Sequence, residues 1–353
     1  MLATTIPITR TTHSRLTPEL RDTAAFGAVF SDHMLVADWA NGSWSEPQIV
    51  PYGTLVLPAA PIVAHYGQGI FEGFKAFPRP NGGAVLFRPD ANHARMNRSC
   101  ARMAMPEVPA SLFVEGTRTL VAVDRDWIPA STGSALYVRP VLFATGESLG
   151  VRPSDRYRFI VETCPSGPYF SGSVDLLAEE IYVRAFPGGT GAAKCGGNYA
   201  GSLLAAGEAQ KRGFHNVLWL DGIERRYVEE AGLMNVAFVI DGVVVTPPLS
   251  GTILAGITRD SVLTLLRDMS VDVQERPIAI DEVFAAHAAG RLDSAAGIGT
   301  AATIAPLGRL RHQDREITIP ALTPDSPLGR AAAELDAIRT GQKPDRHGWL
   351  MAI

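Results

Sequence analysis

Lys194 sits in the run GGTGAAKCGGNY, Gly188 to Tyr199, with five glycines around it. A glycine-rich loop carrying a lysine suggests a phosphate cradle, but the nucleotide version needs Gly-Lys followed by Ser or Thr at the start of a helix. Here Lys194 follows Ala193 and precedes Cys195, so that reading fails. Two remain: a structural turn with a solvated lysine, the commoner outcome, or an amine presented to a ligand that the backbone approaches closely. Gly196 and Gly197 are expected to turn the chain back behind the lysine, at positions where a Cβ would clash.

The other polar candidates are Tyr66, Arg95, Tyr137, Arg139, Tyr199 and Glu230. Each has a plain alternative: Arg95 as an exposed helix cation, Glu230 as a hairpin-edge carboxylate. Tyr137 and Arg139 alternate with Val138, so in a strand they share a face, and a phenol beside a guanidinium suits a carboxylate ligand. Surface pairing explains that pair equally well. The glycine opening GITRDSVLTLLRDM and the two glycines of AAGIGTAATIAP are places where an anion could meet backbone N–H groups. Together, a Schiff-base lysine, a carboxylate for a pyridine nitrogen, and an arginine plus a helix N-terminus for a phosphate fit pyridoxal phosphate. The sequence has no H-E-x-x-H, no C-x-x-C and no G-x-G-x-x-G.

The elements that must position these residues change character along the chain. Short strand-like runs, HMLVADW, AVLF, ALYVRPVLFA and YRFIVETC, interleave with helical stretches DANHARMNRSCARMA and ASLFVEGTRTLVAVDRDW, which predicts an α+β domain over 1–166. PSGPYFSGSVD has the composition of a loop, placing an interdomain segment at 167–181. In the second domain, 182–353, IYVRAF reads as a strand, AGSLLAAGEAQKRG as a helix closed by Gly213, and NVLWLDG as a strand. NVAFVIDGVVVTP reads as a hairpin turned at Asp241-Gly242.

With 353 residues, 46% of them hydrophobic, the chain can bury the cores of two domains. A net charge of -4 gives no reason to expect nucleic acid, and no apolar run reaches the roughly 20 residues of a spanning helix. The N-terminal stretch lacks the apolar core of a signal peptide, so a cytoplasmic location is expected. Cys100, Cys164 and Cys195 are odd in number and widely spaced, as expected for reduced buried thiols rather than a metal or redox site.

Five segments, YGQGIFEGFKAF, LYVRPVLFATGESLGV, GGTGAAKCGGNY, VEEAGLMN and TPPLSGTILAGITRD, resemble in order and spacing the branched-chain amino acid aminotransferases of fold type IV, from about Phe30 to the C-terminus. The resemblance implies a small α+β domain, a larger pseudo-barrel domain, pyridoxal 5'-phosphate, amino acid and 2-oxo acid substrates, and a homodimer. It implies Lys194 as the cofactor-bearing lysine and Glu230 as the partner of the ring nitrogen. Tyr199 would lie near the phenolic oxygen, with Arg95, Ile257, Thr258 and Ile298 at the phosphate. Tyr66, Arg139, Thr300 and Ala301 would surround the substrate carboxylate, and Phe30, Tyr137 and Val151 would wall the side-chain pocket, with Tyr66 and Val151 serving the neighbouring subunit. Three positions depart from the family pattern: Ile298 in place of a hydroxyl beside the phosphate, Ala296 in place of an aromatic, and Leu233 in place of a small residue. The stretch between Tyr169 and Tyr182 also looks short. The implied reaction moves the amino group between leucine, isoleucine or valine and 2-oxoglutarate. The alternatives are a relative serving a non-protein amino acid, a silent binding protein on this fold and, less favoured, a lyase or D-amino acid aminotransferase.

Overall fold

A computed structural model describes residues 6–23, 25–80, 82–167, 172–301 and 303–353. The chain divides into two compact units, Met1–Tyr169 with Ala193–Gly196 and Arg339–Ile353, and Phe170–Ala192 with Gly197–Ile338. The first crossing falls inside the 167–181 segment, but residues 182–353 do not form one block. Cys195 bridges Ile70, and the terminal strand Leu350–Ala352 pairs with Ala84–Phe87, so both segments return to the first unit. The expected shortness of the Tyr169 to Tyr182 stretch falls in part on 168–171, outside the described residues.

The first unit is built on an antiparallel sheet. Its main path runs Leu350–Ala352, Ala84–Phe87, Phe74–Pro78, Ala135–Ala144, Arg156–Ser166, His33–Ala40, Ser43–Trp44. Ala135–Ala144 is buried along most of its length, as a central strand rich in Leu, Val and Phe should be. The helix Pro89–Arg102 starts with Pro at its first turn and buries Asn92, Arg95, Met96, Ser99 and Cys100, spaced three and four apart on one face. That face therefore presents Arg95 and Ser99 inward, one turn apart. The helical stretch after it forms in three pieces: a π-type turn at Ser111–Glu115, an α-helix at Gly116–Val123 and a 3-10 turn at Arg125–Trp127.

The second unit holds a mixed sheet with the path Val228–Ala231, Asn216–Leu220, Val174–Ala178, Thr303–His312, Leu292–Gly299, Asn235–Ile240, Val243–Thr246, Val273–Glu275. The hairpin forms as expected: Ile240 pairs with Val243, and Asp241 (φ 51°) and Gly242 (φ 75°) make the left-handed two-residue turn. IYVRAF is not a strand. The strand is Val174–Ala178, within the stretch expected as loop, and Glu179 Oε1 then accepts the N–H groups of Ile181 and Tyr182, turning the chain out of the sheet. Ile181 is 74% exposed, so apolar content alone misplaced the strand. Gly297 and Gly299, the two glycines of AAGIGTAATIAP, belong to the strand Leu292–Gly299. Side chains there would crowd Met234, a Cβ on Gly297 coming within 2.5 Å of Met234 Cε.

Candidate active site

Lys194 belongs to the first unit, and its backbone is pinned on both sides. Its N–H donates to Ser99 Oγ at 3.0 Å, and its carbonyl accepts the Phe71 N–H at 3.0 Å. Nζ lies 4.9 Å from the centre of the Phe71 ring, and the Arg139 guanidinium 4.7 Å from the same ring. Burial, followed by the nearby Arg95 charge, lowers the Lys194 amine to about 8, with Glu72 and Tyr137 opposing the shift. An amine so placed is a nucleophile near neutral pH.

Arg95 is buried and held by Glu72 in a two-pronged pair, Nε to Oε1 and Nη2 to Oε2, both 2.7 Å. Glu72 takes two of the five guanidinium N–H groups and fixes the plane of the rest. The shared face expected for Tyr137 and Arg139 is present: Arg139 Nη2 donates to Tyr137 Oη at 3.0 Å. Arg139 Nε is buried with no partner among the described residues, an unmet donor in a cationic setting. Gly73 is required here, because a Cβ would lie 1.9 Å from Tyr137 Oη. Tyr137 meets Phe26 edge-on at 4.9 Å, whereas Phe30 stacks on Tyr52. Tyr66 donates to the Leu149 carbonyl, and Tyr66 and Val151 are both exposed, Val151 by 84%.

The second unit carries Glu230 on the strand Val228–Ala231, nearly fully buried. Its Oε2 pairs with Arg184 Nε at 2.8 Å, and its Oε1 accepts the Leu254 N–H at 2.8 Å. Tyr199, Asn198 and Ser202 line one small cavity with Arg184 and Glu230. Thr190 fixes Asn198 at both ends, its hydroxyl donating to Oδ1 at 2.7 Å and its carbonyl accepting from Nδ2 at 2.8 Å. Ile257 and Thr258 begin the helix Ile257–Asp268, whose N-terminus has no side-chain cap. Gly256 lets Asn235 pack against that start, since a Cβ would come 2.0 Å from Asn235 Oδ1. Ile298 is buried opposite Asn235 in the ladder, and Thr300 and Ala301 lie in the turn that follows. Of the three departures, Ala296 is fully buried in the same strand and Leu233 is exposed.

Gly196 and Gly197 do not play the part expected of them. Both lie in the helical turn Gly196–Ala200, neither has a positive φ, and a Cβ on either meets nothing within 4 Å among the described residues. The demanding glycines precede the lysine: Gly188 has φ 79°, and a Cβ on Gly191 would lie 2.3 Å from the Thr252 carbonyl. The sequence reading also missed Glu72 and Arg184, which hold the charged candidates Arg95 and Glu230 in place. Glu72 stands inside YGQGIFEGFKAF, and Arg184 was hidden in a segment read as a strand. The spacing Gly146-Glu147-Ser148-Leu149-Gly150 matches an acyl-transfer elbow, but Ser148 is in a loop followed by the strand Arg156–Ser166. Its Oγ donates to Gly150 O, so no strand-to-helix elbow forms. Among the described residues no acidic, His and Cys cluster could hold a metal ion, and no helix is long and apolar enough to cross a membrane.

The model of the family described as amino-transferase class IV matches residues 69–306. A probable branched-chain-amino-acid aminotransferase of Staphylococcus epidermidis is 46% identical over 342 residues, covering 95% of each chain. The branched-chain-amino-acid aminotransferase of Mycobacterium tuberculosis is 46% identical over 337 residues, 93% of this chain and 92% of its own. Among solved structures, the branched-chain amino acid aminotransferase from Escherichia coli superimposes with a TM-score of 0.71. It is 26% identical, over 89% of this chain and 98% of that one.

Proposed function

The chain belongs to the class IV aminotransferases, and from that premise we propose that it moves the amino group between leucine, isoleucine or valine and 2-oxoglutarate, using pyridoxal 5'-phosphate. The observation that carries the chemistry is Lys194, an amine lowered to about 8 with its backbone pinned on both sides. Relatives named for the branched-chain reaction, at 46% identity over most of the chain, support the substrate class.

The residues present fit the cofactor. Lys194 offers the amine, Arg95 and the helix start at Ile257 and Thr258 would face a phosphate, and the buried Glu230 carboxylate suits a protonated ring nitrogen. Tyr199 is assigned to the phenolic oxygen, and Ile298 adds only backbone and apolar contact at the phosphate. Pyridoxal phosphate, when bound, supplies an electrophilic carbonyl and a ring that takes up the electron pair left when the α-proton departs.

The chain's own groups do the rest. Lys194 Nζ would take the substrate's α-proton and return it one atom away. Phe71 beneath it limits water around the amine. Glu230 remains an anion beside Arg184 and so keeps a proton on the ring nitrogen. Arg139, with its unmet Nε and its bond to Tyr137, orients the substrate carboxylate, together with Tyr66, Thr300 and Ala301. Phe30, Tyr137 and Val151 wall the side chain. We assign Tyr66 and Val151 to the site of a second subunit in a homodimer, which accords with their exposure. The three buried free thiols suit the cytoplasm.

Borohydride treatment of the holoprotein, followed by peptide mapping, tests the assignment. The label is expected on Lys194, with Lys194→Ala folded but inactive in transamination. A label on another lysine contradicts the reading.

A further inference from the structure

Glu229 and Glu230 are consecutive on one strand, so their side chains leave opposite faces, and both are buried. Their surroundings differ. Glu230 receives the Arg184 guanidinium at 2.8 Å and the Leu254 N–H at 2.8 Å. Glu229 receives the Thr252 hydroxyl at Oε1, and its Oε2 has no partner among the described residues. Burial raises the Glu229 carboxyl above its ordinary range, and the Thr252 bond and the more distant Arg184 charge offset only part of that. Two buried carboxyls one residue apart are thus an internal comparison: one has a cation in contact and the other does not.

Arg184 is aimed by its own backbone contacts. Nη1 donates to the Thr252 carbonyl at 2.6 Å, and both Nη atoms reach the Gly191 carbonyl at 3.3 Å. Gly191 allows this approach, since a Cβ there would lie 2.3 Å from Thr252 O and 2.6 Å from Ala185 Cβ. The glycines ahead of Lys194 therefore let the loop fold onto the arginine that holds Glu230.

We propose that Arg184 is a positioning residue of the reaction, which holds Glu230 as the anion that keeps the cofactor ring protonated, a contact its neighbour Glu229 does not receive among the described residues. The inference rests on the assignment of Glu230 to the ring nitrogen. Without Arg184, the proton shared between that nitrogen and Glu230 moves to the carboxylate, because a desolvated lone carboxylate is the stronger base.

The test is the 15N chemical shift of ring-labelled pyridoxal phosphate in the holoprotein, read with the single-turnover rate of α-proton removal. Wild type is expected to show a protonated nitrogen. Arg184→Gln should move the shift toward the unprotonated value and slow proton removal by about tenfold or more, with the borohydride label still on Lys194, and Arg184→Lys should recover most of the shift. Unchanged shift and rate in Arg184→Gln overturn the proposal. Should that variant fail to fold, Glu229 gives an independent reading. The 15N shift and turnover of Glu229→Gln should stay at wild-type values, because the Arg184–Glu230 pair is left intact. A moved 15N shift in Glu229→Gln also overturns it. Glu230→Gln separates the two levels: if it leaves the ring protonated, the Glu230 assignment fails, whereas if it alone moves the shift, only the role of Arg184 fails.

Discussion

At the residue scale, folding makes the lysine a base available near neutral pH. An amine lowered to about 8 is roughly one-tenth neutral at pH 7, against about three in ten thousand for an ordinary lysine. The rate of cofactor capture by the apoprotein should therefore rise about tenfold per pH unit below 8 and level off above it. A rise continuing to pH 10 in stopped-flow absorbance would show an unperturbed amine. The sign for stability follows from the same shift: between about 8 and 10.5 the unfolded chain binds the extra proton, so this group's contribution to stability improves as pH rises through that window. Lys194, Arg95 and Glu230 could be singled out as candidates because their motifs are local. Their partners Glu72 and Arg184 were not, because an ion pair between Arg184 and Glu230 joins residues far apart in sequence, and no periodicity encodes it.

At the element scale, the glycine loop shows what a pattern conveys and what it hides. The composition of GGTGAAKCGGNY announces close backbone approach, but which glycine is under constraint depends on neighbours such as Thr252, far along the chain. Gly191→Ala is expected to destabilise the protein by about 1–3 kcal/mol through overpacking against the Thr252 carbonyl. Gly196→Ala, in a helical turn with open space, should stay within about 0.5 kcal/mol of wild type. Urea unfolding of the two apoproteins distinguishes them, and equal losses would contradict this account of the loop. The hairpin at Asp241-Gly242 was readable because a two-residue left-handed turn needs those residue types. The strand Val174–Ala178 was not, because IYVRAF is the more apolar run and only the Glu179 side chain, capping Ile181 and Tyr182, takes it out of the sheet.

At the scale of the whole molecule, the two-unit α+β organisation followed from changes of pattern along the chain. The return of Ala193–Gly196 and Arg339–Ile353 to the first unit did not, since strand pairing across the chain leaves no local trace. The first unit exposes Val56, Leu149 and Val151, apolar side chains that a homodimer would cover. Sedimentation should give a dimer, and Val151→Asp should weaken it and raise KM for the amino acid; a wild-type monomer with full activity would contradict the assignment of Val151 to a neighbouring site. The activity itself is the central claim, and the direct measurement is kcat/KM for amino transfer to 2-oxoglutarate from L-leucine, L-isoleucine, L-valine and a set of β- and γ-substituted analogues. Because one methylene in an apolar pocket changes kcat/KM by about 10- to 200-fold at most, the three branched-chain amino acids should all be substrates within that range, ahead of every analogue. A strong preference for one analogue over all three would contradict the branched-chain assignment while leaving the Lys194 chemistry standing.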